Sequence, residues 1–223
     1  MTTLDARQQI LAANQAAASA LRQRFADAGT LVVNLISSPG SGKTTLLATL
    51  ARRLAGRLRM AAVVGDIATE LDADRLRAAG LRAHQIVTGG SCHLDARMLD
   101  RALATADFGP LDLLFVENVG NLVCPANYDL GEAFKIVLLS VTEGVDKPFK
   151  YPGIFSKADV AVVTKCDLLP YVPFDVEVVT RQITTLRPQA QVLRVSATTG
   201  AGIEALENVL LAKVATCQTA TSR

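Results

Sequence analysis

The residues most indicative of chemistry form a glycine-rich segment, Ser37-Ser38-Pro39-Gly40-Ser41-Gly42-Lys43-Thr44, which Thr45 follows. An apolar run precedes this segment, and a leucine-rich helical pattern comes after it. Glycines let backbone N–H groups approach phosphates, and a helix N-terminus adds a favourable dipole. We expect Lys43 to reach the β- and γ-phosphates and the Thr44 hydroxyl to ligate Mg²⁺. Ser37 stands where the phosphate-loop pattern G-x-x-x-x-G-K-[ST] has glycine. Even so, a nucleoside triphosphate site explains Gly-Lys-Thr-Thr between a strand and a helix better than an ordinary glycine turn does.

Two further motifs predict that the base is guanine. Thr164-Lys165-Cys166-Asp167 follows an apolar run, and Ser196-Ala197-Thr198 follows a later one. The Asp167 carboxylate would accept hydrogen bonds from the guanine N1–H and 2-amino groups, the Lys165 stem would lie over the base, and the backbone N–H groups at Ser196 and Ala197 would reach its O6. Each motif alone describes an ordinary loop after a strand. Thr164 stands where asparagine is usual.

Acidic residues follow two other apolar runs. Asp66 ends Val63-Val64-Gly65-Asp66, and Glu117 ends a run that leads to Gly120. Carboxylates beside a phosphate loop can hold Mg²⁺ or orient the attacking water, so we assign Asp66 and Glu117 to Mg²⁺ and to catalysis, with Lys43. Asp72 is a further catalytic candidate, equally consistent with a helix N-cap. Gly120 would let its backbone approach the γ-phosphate.

Cys92, His93 and Cys124 are candidate ligands for a softer metal. Thiolate and imidazole suit Zn²⁺ or Ni²⁺. Both segments follow predicted strands, which places them on the same side as the nucleotide. Three donors leave a coordination shell incomplete, so water or a second subunit must supply the rest. Without a C-x-x-C spacing, the residues alone favour buried free thiols over a metal site.

The elements that must position these residues alternate between strands and helices, which indicates a doubly wound α/β fold with a mostly parallel sheet and helices on both faces. The predicted strands are Leu31–Ser37, Met60–Asp66, His84–Thr88, Leu111–Asn118, Lys135–Val141, Asp159–Lys165 and Gln191–Ala197. The predicted helices after residue 30 are Lys43–Leu58, Leu71–Ala79, Leu94–Ala106, Val176–Leu186 and Ile203–Val214. Ligands of such folds bind at the carboxyl ends of the strands.

The chain divides into an amphipathic N-terminal helix, residues 1–29, and a nucleotide-binding domain, residues 30–217. The helix either packs on the domain edge or docks a partner. The polar tail from Gln218 onward is expected to fray. A length of 223 residues fits one domain, and a net charge of +2 gives no reason to expect nucleic acid or an anionic membrane as partner. The sequence shows neither a signal pattern nor a membrane span, so a cytoplasmic location is expected.

Four segments carry a resemblance to a known family. They are Ser37–Thr45, Gly89-Gly90-Ser91-Cys92-His93-Leu94-Asp95, Glu117-Asn118-Val119-Gly120-Asn121-Leu122-Val123-Cys124-Pro125 and Asp146-Lys147-Pro148-Phe149-Lys150-Tyr151-Pro152. Together they resemble the hydrogenase nickel-incorporation GTPase family (HypB) over nearly the whole chain. The related urease accessory GTPases usually carry Cys-Pro-His at their metal site, which this sequence lacks.

The resemblance implies a P-loop GTPase that dimerises with nucleotide and helps to deliver nickel to a [NiFe] hydrogenase precursor. It implies metal binding by Cys92, His93 and Cys124 at the dimer interface, and a small nickel- and zinc-binding accessory protein docked near the N-terminal helix. Some members add a Cys-rich or His-rich N-terminal tract; here the histidines are His84 and His93 alone.

The alternative functions are a metal-independent regulatory GTPase, a urease accessory GTPase and a small-molecule kinase. Lys147 and Lys150 would contact nucleotide, the other subunit or only solvent.

Overall fold

The computed structural model describes residues 3–67 and 70–221, in which one sheet of seven parallel strands forms the centre. In chain order the strands are β1 (Leu31–Ser37), β2 (Met60–Asp66), β3 (Arg82–Val87), β4 (Leu113–Glu117), β5 (Phe134–Ser140), β6 (Val160–Thr164) and β7 (Gln191–Arg194). Their order across the sheet is β3-β2-β4-β1-β5-β6-β7. The chain therefore winds outward in both directions from β1, which confirms the predicted fold class.

Helices cover both faces of the sheet. Their bounds are α1 (Thr3–Asp27), α2 (Lys43–Leu54), α3 (Leu71–Ala78), α4 (Ala96–Thr105), α5 (Lys147–Lys150), α6 (Pro152–Phe155), α7 (Val176–Leu186) and α8 (Ile203–Thr221), with 3₁₀ turns at Cys124–Asn127 and Cys166–Tyr171. Alternate residues of β1 separate the two layers. Val33 and Leu35 pack with α2, α3 and α8, whereas Val32 packs with α1 and α4. Since both faces are covered, the central strands are mostly apolar, and Asn34 of β1 is one of the few polar residues among them.

Of the boundaries that differ from the sequence prediction, two have a direct physical explanation. The helix predicted from Leu94 begins at Ala96, because Asp95 is its N-cap and accepts a hydrogen bond from the Met98 N–H at 2.7 Å. The tail expected to fray from Gln218 instead continues α8 to Thr221. Gln218 Nε2 donates to Asp112 Oδ1 at 3.0 Å, which anchors this last part of the helix to the start of β4. The short helices α5 and α6 were not predicted.

The N-terminal helix packs on the sheet as part of the core. Ala18, Leu21 and Phe25 are buried against α4 and β4, and Ile10 is exposed. The division into a helix and a domain after residue 29 stays a prediction. Nowhere in residues 3–67 and 70–221 is a helix long and apolar enough to cross a membrane.

Because Leu21 is 2% exposed and Ile10 is 48% exposed, truncating these two α1 residues should give different results. Leu21→Ala should lower the free energy of unfolding by about 2–5 kcal/mol, since it leaves a cavity in the core. Ile10→Ala should change it by less than about 0.5 kcal/mol. Urea unfolding followed by circular dichroism measures both values. A similarly small loss of unfolding free energy in both variants would contradict the packing of α1 in the core.

Candidate functional site

The glycine-rich segment forms the connection between β1 and α2. Gly40 and Gly42 have φ values of 73° and 94°, in the left-handed region that favours glycine. Gly42 is the N-cap of α2, so the first N–H groups of this helix open onto the loop. The loop lines a cleft of about 510 Å³ with Gly40, Gly42, Lys43, Thr44, Thr45, Asp66, Asp72, Glu117, Gly120 and Lys165 among its walls. This geometry suits a charged phosphate chain.

Lys43 lies inside this loop and is nearly buried. Its Nζ donates a hydrogen bond to Ser37 Oγ at 3.0 Å. Burial lowers the pKa of Lys43 from its usual value, and nearby carboxylates, Glu117 foremost, oppose the shift. The serine that departs from the usual phosphate-loop pattern is therefore the residue that holds the lysine amine in place.

Glu117 ends β4 at the floor of the same cleft. Thr44 Oγ1 donates to its Oε1 at 2.8 Å, while its buried Oε2 has no hydrogen-bond partner among the described residues. Burial raises the pKa of Glu117 to about 7. A buried carboxylate with one unpartnered oxygen, beside a threonine hydroxyl and with Asp66 on the same cleft, fits a divalent cation. Thr44, Asp66 and Glu117 are the residues that would hold Mg²⁺.

Asp72 lies on the wall of the cleft near the start of α3. The N-cap of this helix is Glu70, so Asp72 lies within the first turn. Its Oδ1 pairs with Arg75 Nη1 at 3.1 Å, and Arg75 lines the cleft as well. The Asp72 carboxylate and the Arg75 guanidinium thus both line this wall of the cleft.

A second cavity, of about 310 Å³, adjoins the phosphate loop and contains most of the residues predicted to bind the base. Its lining includes Ser41, Thr45, Thr164, Lys165, Asp167 and Ala197. Thr164 Oγ1 donates to the Ser41 carbonyl at 2.7 Å, and Lys165 Nζ donates to the Gly40 carbonyl at 2.8 Å. The residue that replaces the usual asparagine therefore ties the base-binding strand to the phosphate loop.

Ser196 does not line this cavity. Its N–H already donates to the Ala201 carbonyl at 2.9 Å, and its Oγ accepts from the Thr199 N–H at 3.1 Å. The side chain is buried below the loop. Ser196 thus shapes the turn, and Ala197 is the residue of this pair that lines the cavity.

The predicted metal ligands come together beside the nucleotide cleft. One donor atom from each of Cys92, His93 and Cys124 lies within 4.8 Å of the others. The two sulfurs are 2.7 Å apart, and Cys92 Sγ is 3.8 Å from His93 Nδ1. Burial lowers the pKa of His93, which favours the neutral imidazole that metals require. The His93 ring stacks on Tyr128 with centroids 3.8 Å apart.

Sequence reasoning missed a carboxylate behind the phosphate loop. Glu143 Oε1 accepts from Ser41 Oγ at 2.5 Å and from the Ser140 N–H at 3.0 Å. Lys147 Nζ, 3.5 Å from Glu143 Oε2, also reaches Ser38 Oγ at 3.3 Å. No motif singles out Glu143, because its role depends on the end of β5 lying next to the loop.

Lys147 and Lys150 differ in their surroundings. Lys147 contacts the phosphate loop, whereas Lys150 forms an exposed ion pair with Asp146 at 2.5 Å. The structure thus places Lys147 beside the loop and Lys150 at the surface.

The chain is similar to known proteins over most of its length. The profile of the CobW/HypB/UreG nucleotide-binding domain matches residues 31–194. The hydrogenase maturation factor HypB of Azotobacter vinelandii is 50% identical over 196 residues, which cover 88% of this chain and 65% of that protein. The hydrogenase/urease maturation factor HypB of Helicobacter pylori strain J99 is 43% identical, over 92% of this chain and 86% of the relative. The chain thus spans just under two thirds of the first of these relatives.

A solved structure shows the same similarity. The crystal structure of HypB from Helicobacter pylori in complex with nickel superposes with a TM-score of 0.86 at 42% sequence identity. The match covers 90% of this chain and 94% of that one.

Gly120 offers a direct test of the approach between β4 and the phosphate loop. A Cβ atom at this position would lie 3.0 Å from Pro39 Cα and 3.1 Å from Pro39 N. Gly120→Ala should push the loop out of place and weaken binding of a non-hydrolysable GTP analogue about 10- to 100-fold, the equivalent of 1–3 kcal/mol. Isothermal titration calorimetry measures the affinity.

Gly153→Ala is the matched control, since its Cβ would meet only Ala126 Cβ, at an ordinary 3.9 Å. This variant should bind like the parent protein. Parental affinity in Gly120→Ala would show that the cleft does not need the close contact.

Proposed function

Because the chain belongs to the CobW/HypB/UreG family, and within it to the HypB maturation factors, we propose that it is a GTP-hydrolysing metallochaperone that assists nickel insertion into [NiFe] hydrogenase precursors. One observation carries the proposal: a single segment, residues 117–124, runs from the Glu117 carboxylate in the phosphate cleft to the Cys124 thiol of the metal cluster. Nucleotide and nickel sites therefore share a stretch of backbone.

Each residue of the cleft has a role in binding or hydrolysis under this proposal. The loop N–H groups and Lys43 bind the β- and γ-phosphates, and Asp167 with Ala197 selects guanine. Mg²⁺ held by Thr44, Asp66 and Glu117 would neutralise charge that develops on the phosphates. Asp66, Asp72 and Glu117 line the space in which an attacking water must be oriented.

The nickel ion is cargo in this function. Cys92, His93 and Cys124 give three donors, and nickel requires at least one more. A second copy of the chain, facing the first across the metal cluster, would supply it. The exposed Val123 next to Cys124, together with the exposed Ile67, Leu71 and Val87 around the ends of β2 and β3, supports a contact surface on this side. Hydrolysis would loosen this dimer and alter the affinity for nickel.

The partners follow from the same proposal. A small nickel/zinc-binding accessory protein would dock near α1, and a hydrogenase large-subunit precursor would receive the metal. One relative is named for both hydrogenase and urease maturation, so a urease is the second candidate recipient. A cytoplasmic location suits this role.

Nickel titration in two nucleotide states tests the proposal. The parent protein should bind nickel with an affinity that differs between a non-hydrolysable GTP analogue and GDP, each with Mg²⁺, since the two sites share residues 117–124. A Cys92→Ala/Cys124→Ala variant should bind at least about 100-fold more weakly, because it loses two of the three side chains that would contact the metal, and even the loss of a ligand's hydrogen-bond partner costs about 10–100-fold. Calorimetry with parallel light scattering reports affinity and oligomeric size.

Cys217→Ala removes a half-buried thiol outside the cluster and should leave nickel binding unchanged. Equal, weak nickel binding in every sample would favour a metal-independent regulatory GTPase.

The guanine assignment has its own test. Asp167→Asn replaces the acceptor for guanine N1–H with an amide whose NH₂ can donate to the 2-oxo group of xanthine. We expect GTP affinity to fall at least about 100-fold and xanthosine triphosphate to become the preferred ligand, because a mispaired buried polar group costs about 1–3 kcal/mol for each contact. Competition binding with GTP, xanthosine triphosphate and ATP decides it. A preference for ATP in the parent protein would support a kinase instead.

A further inference from the structure

Asn118 is a buried amide that joins two segments of the site. It is 1% exposed and follows Glu117 directly. Its Oδ1 accepts hydrogen bonds from the Leu94 N–H at 3.1 Å and from the Val119 N–H at 3.0 Å. Its Nδ2 donates to Asn34 Oδ1 on β1 at 3.3 Å. One side chain thus links the nucleotide-facing strand end with the backbone just after Cys92-His93.

Asn121 makes a second link of the same kind. Its Nδ2 donates to the Cys92 carbonyl at 3.3 Å, and its Oδ1 accepts from the Val123 N–H at 2.8 Å. The two amides therefore hold the Cys92-His93 pair from both sides, at the Cys92 carbonyl and at the Leu94 N–H. Neither of these two bonds involves a metal ligand's own donor atom, so both act on the position of the loop; the Asn121 amide also hydrogen-bonds the Cys124 thiol.

The other contacts of residues 117–121 join them to α2, to β1 and to the phosphate loop. We call residues 117–121 the coupling segment. Glu117 accepts from Thr44 at 2.8 Å, the Asn118 N–H donates to the Leu35 carbonyl at 2.9 Å, and Gly120 lies against Pro39 of the phosphate loop. Any rearrangement that the γ-phosphate or its cation imposes on these contacts also moves the two amides. Because Asn118 is buried, water cannot replace its bonds to the loop.

We propose that Asn118 is the positioning residue that couples the nucleotide state to the geometry of the nickel ligands, with Asn121 as a second tie. The proposal rests on the proposed function, since it assigns the residue through which that coupling acts. Asn118 lies at the wall of the nucleotide cleft, and its side-chain hydrogen bonds go to the Leu94 and Val119 N–H groups and to Asn34 rather than to a metal ligand's donor atom. It sets where Cys92 and His93 stand relative to Cys124 as the coupling segment shifts.

The chain contains a matched control. Asn14 of α1 is 2% exposed; its Oδ1 accepts from the Ala96 N–H at 2.8 Å, and its Nδ2 donates to the Asp129 carbonyl at 2.9 Å. It thus holds the same stretch of backbone, two residues beyond Leu94, with the same kind of buried amide. It does so from the α1 side and, among the residues that the structure describes, makes no hydrogen bond to the coupling segment. Its loss should therefore loosen the stretch and leave the link to the nucleotide intact.

The experiment measures coupling rather than affinity. Nickel dissociation constants are determined for the parent protein, Asn118→Ala, Asn121→Ala and Asn14→Ala, each with a non-hydrolysable GTP analogue and with GDP. The ratio of the two constants is the coupling factor, typically 5- to 150-fold for linked sites. In Asn118→Ala it should fall to within about twofold of unity, and in Asn121→Ala part of the way. Asn14→Ala should keep the parental ratio, even where its nickel affinity and melting temperature fall.

Four outcomes overturn the inference. A parental ratio in Asn118→Ala would show that the amide does not carry the coupling. A similar loss in Asn14→Ala would show that general loosening of the loop explains the effect. If Asn118→Ala does not fold, a parental ratio in the half-buried Asn121 variant counts against the proposal, and a reduced one supports it. Equal constants in the parent protein itself would instead remove the proposed function, and this inference with it.

Discussion

The parallel pairing of β4 with β1 and β2 is the constraint on which the candidate site depends. Glu117 stands in register with Leu35 of β1 and with Val64 of β2. Each partner strand then runs two more residues, to Ser37 at the phosphate loop and to Asp66. A shift of the register by one residue would turn Glu117 to the opposite face and into the apolar layer. The hydrophobic pattern that buries this sheet on both faces therefore also fixes the positions of the polar residues Glu117, Ser37 and Asp66 at the carboxyl ends of the strands.

At these carboxyl strand ends Glu117 and Lys43 lie close together, and burial disfavours the charged form of both side chains. Burial shifts the pKa of Glu117 upward, to about 7, and that of Lys43 downward, so each group is moved toward its neutral form. Thr44 and Ser37 each satisfy one of their polar atoms. A triphosphate with its cation would compensate both groups at once, because phosphate oxygens favour the charged lysine and the cation favours the charged carboxylate. The protein fold thus holds a polar cleft in advance for a ligand of high charge density.

Sequence patterns predicted the strands and the glycine loop because each depends on local signals: apolar runs, left-handed glycines and the start of a helix. They predicted the metal ligands by type and by resemblance to a family. They failed where a role depends on which groups come into contact once the chain has folded. Glu143 contacts the phosphate loop only because β5 lies beside β1, and the Ser196 N–H is taken up by the Ala201 carbonyl within its own turn. No spacing in the sequence records either contact.

The cluster of Cys92, His93 and Cys124 differs from a structural metal site in ways that would suit cargo under the proposed function. A closed structural site has four ligands and is buried, whereas Cys92, His93 and Cys124 are half-buried and provide three. Their positions depend on loops fastened to the nucleotide edge through backbone and amide bonds. If nucleotide state changes the affinity for nickel through these bonds, linkage requires nickel to change the affinity for nucleotide by the same factor. The cargo would therefore favour one nucleotide state, so that metal loading itself biases which state the protein occupies.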